Sequence, residues 1–381
     1  MTSAAQAVFF YTPQYEAFDY GPSHPMKIRR LQLTRDLIHA YGLFHPTHVR
    51  LADVSAATEA DLLRAHTQEY LDVLRAVNTG QSVPRAWHFG LGTSDNPIFE
   101  GVYTWSALLT GASVQAARLL ASGETARAFN IAGGLHHAAS SRASGFCYIT
   151  DAAVAIRVLV DHGFRVAYVD IDAHHGDGVQ SAFYDTDQVL TISLHETGLT
   201  LFPGTGFPED IGTGKGEGFS VNVPLAPETD DEVFLWALEE TVPPLLEAFR
   251  PDVVVTQLGI DAHRNDPLSN LRLTMGGFLT AVRALAAGAP RWLALGGGGY
   301  YLGNVPRAWT AVWALMAGLE IPAELPSGFL PQFRSAGCVE TTLTDPPHRT
   351  EGGRKEEAWR YARAQVHKVH ALIFPRLGIR T

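Results

Sequence analysis

Between Asp170 and Asp177 the chain sets three carboxylates and two imidazoles within eight residues, in the run Asp170-Ile171-Asp172-Ala173-His174-His175-Gly176-Asp177. Carboxylate oxygens and imidazole nitrogens are the donors that divalent first-row metals accept, and such a mixed set suits Zn²⁺, Fe²⁺ or Mn²⁺. Residues 165–171 are apolar, β-branched and aromatic, the composition of a buried strand. Side chains two apart on a strand share a face, so Asp170, Asp172 and His174 are expected to point together. Gly176 and Gly178 then end the strand, and 179–184 is expected to be the next helix. The competing reading, a strand cap running into a solvated loop, leaves so dense a set of ligand types unexplained.

The same change from apolar to polar or glycine recurs after four further strand-like segments, 126–132, 189–194, 252–260 and 292–295. They lead into Gly133-Gly134-Leu135-His136-His137, Ser193-Leu194-His195-Glu196, Gly259-Ile260-Asp261 and Gly296-Gly297-Gly298-Gly299-Tyr300. Open α/β sheets bind ligands outside the carboxyl ends of their strands, so exits converging on one edge predict an active site. Asp172, His174 and Asp261 are the natural metal triad, three ligands leaving an open position as in catalytic sites. With Asp170 and Asp177 spare, each can orient one imidazole of the His136–His137 pair, which could then serve as general base and acid. The four glycines fail the dinucleotide-binding spacing, because Tyr301 stands where the last glycine should be. They are better suited to letting backbone approach a buried site and to posing Tyr300, whose phenol can hydrogen-bond a developing oxyanion.

Around these motifs the chain must supply a scaffold. Its 381 residues, 46% hydrophobic and 18% charged, suit one large α/β domain with a substantial core. The net charge of −10 argues against a nucleic-acid groove and favours cationic substrates. Two cysteines, Cys147 and Cys338, exclude a disulfide framework and a tetrathiolate metal site. No apolar run approaches a membrane span and the N-terminus has no signal-peptide pattern, so the expectation is a cytoplasmic protein without a membrane partner. Helical patterns over 151–162, 230–249 and 276–287 alternate with the strands, which predicts a parallel sheet covered on both faces. Further helices are expected over 26–40, 59–77, 105–122 and 355–374, with a long structured loop at 198–218 and an irregular segment at 322–353. No repeat or shift in composition divides the chain, so 1–381 reads as one domain.

Gly133-Gly134-Leu135-His136-His137-Ala138, Ser144-Gly145-Phe146-Cys147-Tyr148, the 170–178 run and the 296–300 run together resemble the zinc-dependent histone deacetylase family. The resemblance runs from about residue 11 to about residue 315 in one order, and among bacterial branches it is to the acetoin-utilisation (AcuC-type) deacetylases. It implies an arginase/deacetylase-type fold, an eight-stranded parallel sheet between helices with long loops framing a tunnel to the metal. It implies hydrolysis of N-ε-acetyl-lysine to lysine and acetate. By resemblance Asp172, His174 and Asp261 hold the metal, His136 and His137 pair with Asp170 and Asp177, and Tyr300 polarises the acetyl carbonyl. Gly145, Phe146 and Phe202 fall where the family sandwiches the lysine chain, Leu268 at the tunnel rim, and Asp95 where substrate amides are held. Arg30 falls at the cavity that receives acetate. A structural K⁺ or Na⁺ is implied at Asp170, Asp172, His174, Ser193 and Leu194. Two positions depart from the nuclear enzymes, Thr150 for a usual asparagine and Gly259-Ile260 for a cysteine-containing segment, neither being a ligand.

Three rivals stand beside this reading. A ureohydrolase of the arginase type needs a second carboxylate two residues after Asp261 to bridge two manganese ions, and that position is His263. An acetylpolyamine amidohydrolase performs the same chemistry on a smaller cation. A non-catalytic acetyl-lysine binder keeps the pocket but has no need of Tyr300 and both histidines. The expected partner is an acetylated protein or peptide, with an acyl-CoA synthetase as a candidate through the AcuC-type resemblance.

Overall fold

Eight strands pair in parallel into one sheet: β1 (Ala7–Phe10), β2 (Val49–Ala52), β3 (Arg127–Asn130), β4 (Val166–Asp170), β5 (Val189–Glu196), β6 (Ser220–Leu225), β7 (Val253–Gln257) and β8 (Trp292–Leu295). Their spatial order is β2-β1-β3-β8-β7-β4-β5-β6. The computed structural model describes residues 7–380; residues 1–6 and 381, the ends of the 1–381 span, lie outside the described residues. The five strands expected from the sequence are β3, β8, β7, β4 and β5, five consecutive neighbours at the centre of the sheet. Strands buried on both faces read as continuous apolar runs, which is why these were visible. The outer three were not expected: β2 is half exposed, β6 is interrupted by polar Ser220 and Asn222 and a proline, and β1, although apolar and buried, was not recognised as a strand.

Helices flank the sheet in two groups. Val102–Ser122 packs on Asp151–Asp161, and a second series runs from Arg29–Ala40 through Val305–Ala317, Met275–Ala287 and Asp231–Phe249 to Gly352–Leu372, each against the next. Val305–Ala317 was not expected from the sequence, because it is buried nearly all round and lacks a polar stripe. The single helix expected over 59–77 is two, Glu59–Leu62 and Gln68–Ala76. Thr67 starts the second: its hydroxyl accepts from Tyr70 N while its own N–H donates to Ser140 O, a tertiary bond invisible to periodicity. Residues 198–213 form the long loop expected there. No helix among the described residues is long and apolar enough to cross a membrane.

What positions the site is register. Asp170 of β4 lies level with Gln257 of β7 on one side and Ser193 of β5 on the other. Gln257 in turn lies level with Leu295 of β8, and Leu295 with Asn130 of β3. The polar ends of β3, β8, β7 and β4 therefore leave the sheet side by side, while β5, expected to end at 194, runs on beside β6 to Glu196.

Candidate metal centre and active site

Asp172 and His174 leave β4 and Asp261 leaves β7, and one ligand atom from each lies within 4.8 Å of the other two. His174 Nδ1 sits 3.1 Å from Asp172 Oδ1 and 3.0 Å from Asp261 Oδ2. The carboxylates are held from behind. Asp172 Oδ2 accepts from Gln257 Nε2 at 2.7 Å and Gly298 N at 2.8 Å, and Asp261 Oδ1 accepts from Ala173 N at 2.8 Å. A Cβ on Gly298 would stand 2.0 Å from Asp261 Oδ2, so glycine is required there for backbone to reach the carboxylates. In the metal-free protein burial disfavours a charged His174, but Asp172 and Asp261 outweigh it and hold the imidazole protonated well above its usual range.

Beside this triad stand two His–Asp pairs. His136 Nδ1 lies 2.8 Å from Asp170 Oδ2, which also accepts from Tyr168 OH at 2.7 Å, and His137 Nδ1 lies 2.7 Å from Asp177 Oδ1. The pairings are those expected. The two rings are 4.0 Å apart between centroids, yet they titrate in opposite directions. Burial lowers His136, but the charges of Asp170 and Asp172 outweigh it and lift the imidazole to about 9. For His137 burial prevails and, with the positive His136 alongside, brings it down to about 4. The result is a neutral imidazole next to a charged one, each with its own carboxylate.

Tyr300 completes the arrangement. Its N–H donates to Asp266 Oδ2 at 2.7 Å, while its ring stands edge-on to Phe146 with centroids 5.6 Å apart. Burial and the nearby Asp261 and Asp172 keep the phenol protonated far above its ordinary range. A histone deacetylase domain matches residues 24–316 of the chain.

The chain belongs to the histone deacetylase family.

The deacetylase is 38% identical over 336 residues to the acetoin utilization protein AcuC of Bacillus subtilis, covering 86% of each chain. It is 40% identical over 321 residues to human histone deacetylase 1, covering 84% of this chain and 66% of that one. Its structure superposes on a histone deacetylase homologue from Aquifex aeolicus with a TM-score of 0.85 at 37% identity, over 94% of this chain and 100% of that one. A homologue solved in complex with SAHA also gives 0.85 at 37% identity, over 96% and 99% of the two chains. This establishes a deacetylase-family hydrolase with the arginase/deacetylase fold.

Of the other residues expected at the site, Gly145 and Phe202 lie against His137 and Phe146 against Tyr300. Gly145 and Phe146 are the two central residues of a hairpin turn closed by paired hydrogen bonds between Ser144 and Cys147, with φ of +50° and +69°. Left-handed values at both positions mark the primed turn, in which glycine is at ease and Phe146 is not. Gly145 has a second reason to be glycine, since a Cβ would stand 2.4 Å from the His137 ring and 2.8 Å from Phe202. Phe202 packs edge-on to His137 at 5.0 Å. Leu268 is half-buried, its N–H donating to Asp266 Oδ1 at 3.0 Å. Asp95 lies further out, exposed, with its carbonyl 3.2 Å from His24 Nε2, and His24 packs on Phe146 at 4.5 Å. Arg30 is buried, donates through Nη1 to Gly299 O at 3.0 Å and lies 5.2 Å over Trp309, while its Nε has no partner. Ser193 and Leu194 lie within β5, Ser193 level with Asp170, and the Ser193 hydroxyl is 2.9 Å from His195 Nδ1.

Three supporting residues escaped the sequence reading. Gln257 joins Asp172 to Gly134 O, Asp266 joins Tyr300 to Leu268, and buried Asp151 accepts from the N–H groups of Gly134 and Leu135 ahead of the histidine pair. Gln257 had a signal, a polar residue closing the run Val-Val-Val-Thr-Gln. Asp266 and Asp151 had none, because their roles depend on contacts far along the chain.

Proposed function

We propose that this deacetylase removes acetyl groups from N-ε-acetyl-lysine in proteins, with a single divalent metal, Zn²⁺ or Fe²⁺, at Asp172, His174 and Asp261. The observation that carries the reading is the meeting of a three-donor cluster, a neutral imidazole and a protonated phenol behind a pair of aromatic rings. The donors fit such an ion: two carboxylates and one imidazole supply charge and mixed N/O ligation, and three protein ligands leave a position for reactants. When bound, the ion supplies Lewis acidity, polarising a carbonyl and easing deprotonation of a water.

The chain's own groups do the rest. Neutral His137, steadied through Nδ1 by Asp177, accepts a proton from water as its oxygen bonds to the acetyl carbon. The Tyr300 hydroxyl donates to the carbonyl oxygen as it becomes an oxyanion. Collapse re-forms the carbonyl, breaks the carbon–nitrogen bond and passes the proton from His137 to the departing lysine amine. His136, paired through Nδ1 with Asp170, contributes electrostatically. Acetate is left near Arg30, whose unpartnered Nε is a buried donor suited to an anion. A K⁺ or Na⁺ near Asp170, Asp172, His174, Ser193 and Leu194, held mostly by main-chain oxygens, belongs to the same proposal.

Support for one metal rather than two comes from His263. Its Nε2 lies 2.7 Å from Asp345 Oδ2 and its Nδ1 lies 2.9 Å from Asn304 Nδ2, so the side chain is committed elsewhere. The test is hydrolysis of an acetyl-lysine peptide by protein reconstituted with one Zn²⁺ or Fe²⁺ per chain. Faster turnover of an acetylpolyamine would favour the smaller-cation alternative. His137→Ala is expected to lose about 10²–10⁴ in kcat; near-normal turnover would remove His137 from its role. An acyl-CoA synthetase is the proposed class of partner, tested by acetyl-proteomics of a strain lacking the protein.

A further inference from the structure

Glu196, at the end of β5, is 1% exposed and has no Lys or Arg among its hydrogen-bond partners. Its Oε1 accepts from Thr200 Oγ1 at 2.9 Å and Asn270 Nδ2 at 2.9 Å, and its Oε2 accepts from Asn270 N at 2.7 Å. Its own N–H donates to Ala173 O, between two of the metal-ligand candidates, at 2.9 Å. The carboxylate thus fastens the loop bearing Leu199 and Phe202 to the loop bearing Leu268, and the backbone N–H of the same residue ties both to the 170–177 run. A buried carboxylate costs desolvation unless every lone pair is used, so the position is tightly determined. Phe202 faces His137 on its inner side yet is 43% exposed, and Leu199, one turn earlier, is 72% exposed. The loop that packs Phe202 on His137 therefore also carries an exposed apolar side chain three residues earlier.

We propose that Glu196 is a positioning residue and Leu199 a specificity-determining one. Glu196 locks the loops of Phe202 and Leu268 into a single wall, and Leu199 at its outer end selects an apolar residue next to the acetyl-lysine of a peptide substrate. This rests on the deacetylase reading above and deepens it. The occupant follows from this placement: whatever follows a lysine chain into the tunnel leaves its neighbouring side chain against this surface. An apolar contact of this size is worth about tenfold in kcat/KM.

The experiment compares wild type, Glu196→Gln and Leu199→Ser on three substrates: a blocked single acetyl-lysine, and two acetylated hexapeptides carrying Leu or Asp beside the acetyl-lysine. Wild type is expected to favour the Leu peptide about tenfold, mainly through KM. Leu199→Ser should reduce that preference to about twofold. Glu196→Gln, which keeps the shape but offers Asn270 N a donor in place of an acceptor, should raise KM on all three substrates several-fold and change kcat by about twofold or less. Equal use of the two peptides by wild type overturns the selection. A parallel fall in kcat on all three substrates by Glu196→Gln overturns the positioning role. Should Glu196→Gln not fold, Thr200→Val, which removes one donor to the same carboxylate, repeats the KM test, and unchanged KM on all substrates there overturns the positioning role. No turnover of any substrate by wild type would instead sink the deacetylase reading itself.

Discussion

At the floor of the site Asp170, Asp172 and Asp261 are 1% exposed or less, and their carboxylates are tied by hydrogen bonds to four strand exits. At the mouth, Leu199 and Phe202 stand in water on a loop without helix or strand, its conformation resting on a few ties such as Glu196. The floor places charge where reacting atoms must be met within tenths of an ångström, and burial makes each contact strong and each loss severe. The mouth places apolar surface where contacts are additive and tolerant. Reaction and selection are thus assigned to regions of different stiffness.

Substitutions at the two levels should differ by orders of magnitude. Asp261→Asn is expected to abolish both metal uptake and turnover, read by metal analysis and peptide hydrolysis; a variant that binds metal normally would show that the floor is less exacting than its burial implies. Tyr300→Phe should cost about 10²–10³ in kcat with metal content unchanged. A loss in KM alone would move Tyr300 from the floor to the mouth. Phe202→Ala should raise KM several-fold and change kcat by about twofold or less, since a wall rather than a reacting group is removed.

The floor also predicts a pH dependence that the mouth lacks. In the metal-free protein His136 is lifted to about 9 and His174 is also raised well above its ordinary range, against an unfolded value of about 6.5. Their stabilising contribution is fully present below pH ~6.5 and lost as pH rises through the folded values. The thermal stability of chelator-treated protein should therefore fall from about pH 6.5 to pH 9, by several degrees, and Zn²⁺ should abolish the trend. A flat profile without metal would mean that the histidines are not charged against their carboxylates.

Legibility in the sequence followed the same division. Asp170, Asp172 and His174 were readable because alternation on a strand puts them on one face, and Asp261 because it ends another apolar run. The central strands announced themselves by being buried on both sides, whereas β2 and β6, at the edges, did not. Phe146, Phe202, Leu268 and Asp95 came only through resemblance, since no local pattern marks a residue that meets its partners across loops. Glu196 could be noticed but not interpreted, because its meaning lies in Thr200 and Asn270. Val305–Ala317 was lost for the opposite reason, being apolar on every side.

The level register of Asn130, Leu295, Gln257, Asp170 and Ser193 carries one more consequence. Sliding β4 or β7 by a single residue would turn its terminal side chains to the opposite face and scatter the donor set, which these two strands supply. Ion capture would then fail in chains with that pair misaligned and succeed only when their register is right. Metallation would serve as a proofreading step, holding the correctly assembled sheet and leaving slipped forms free to try again.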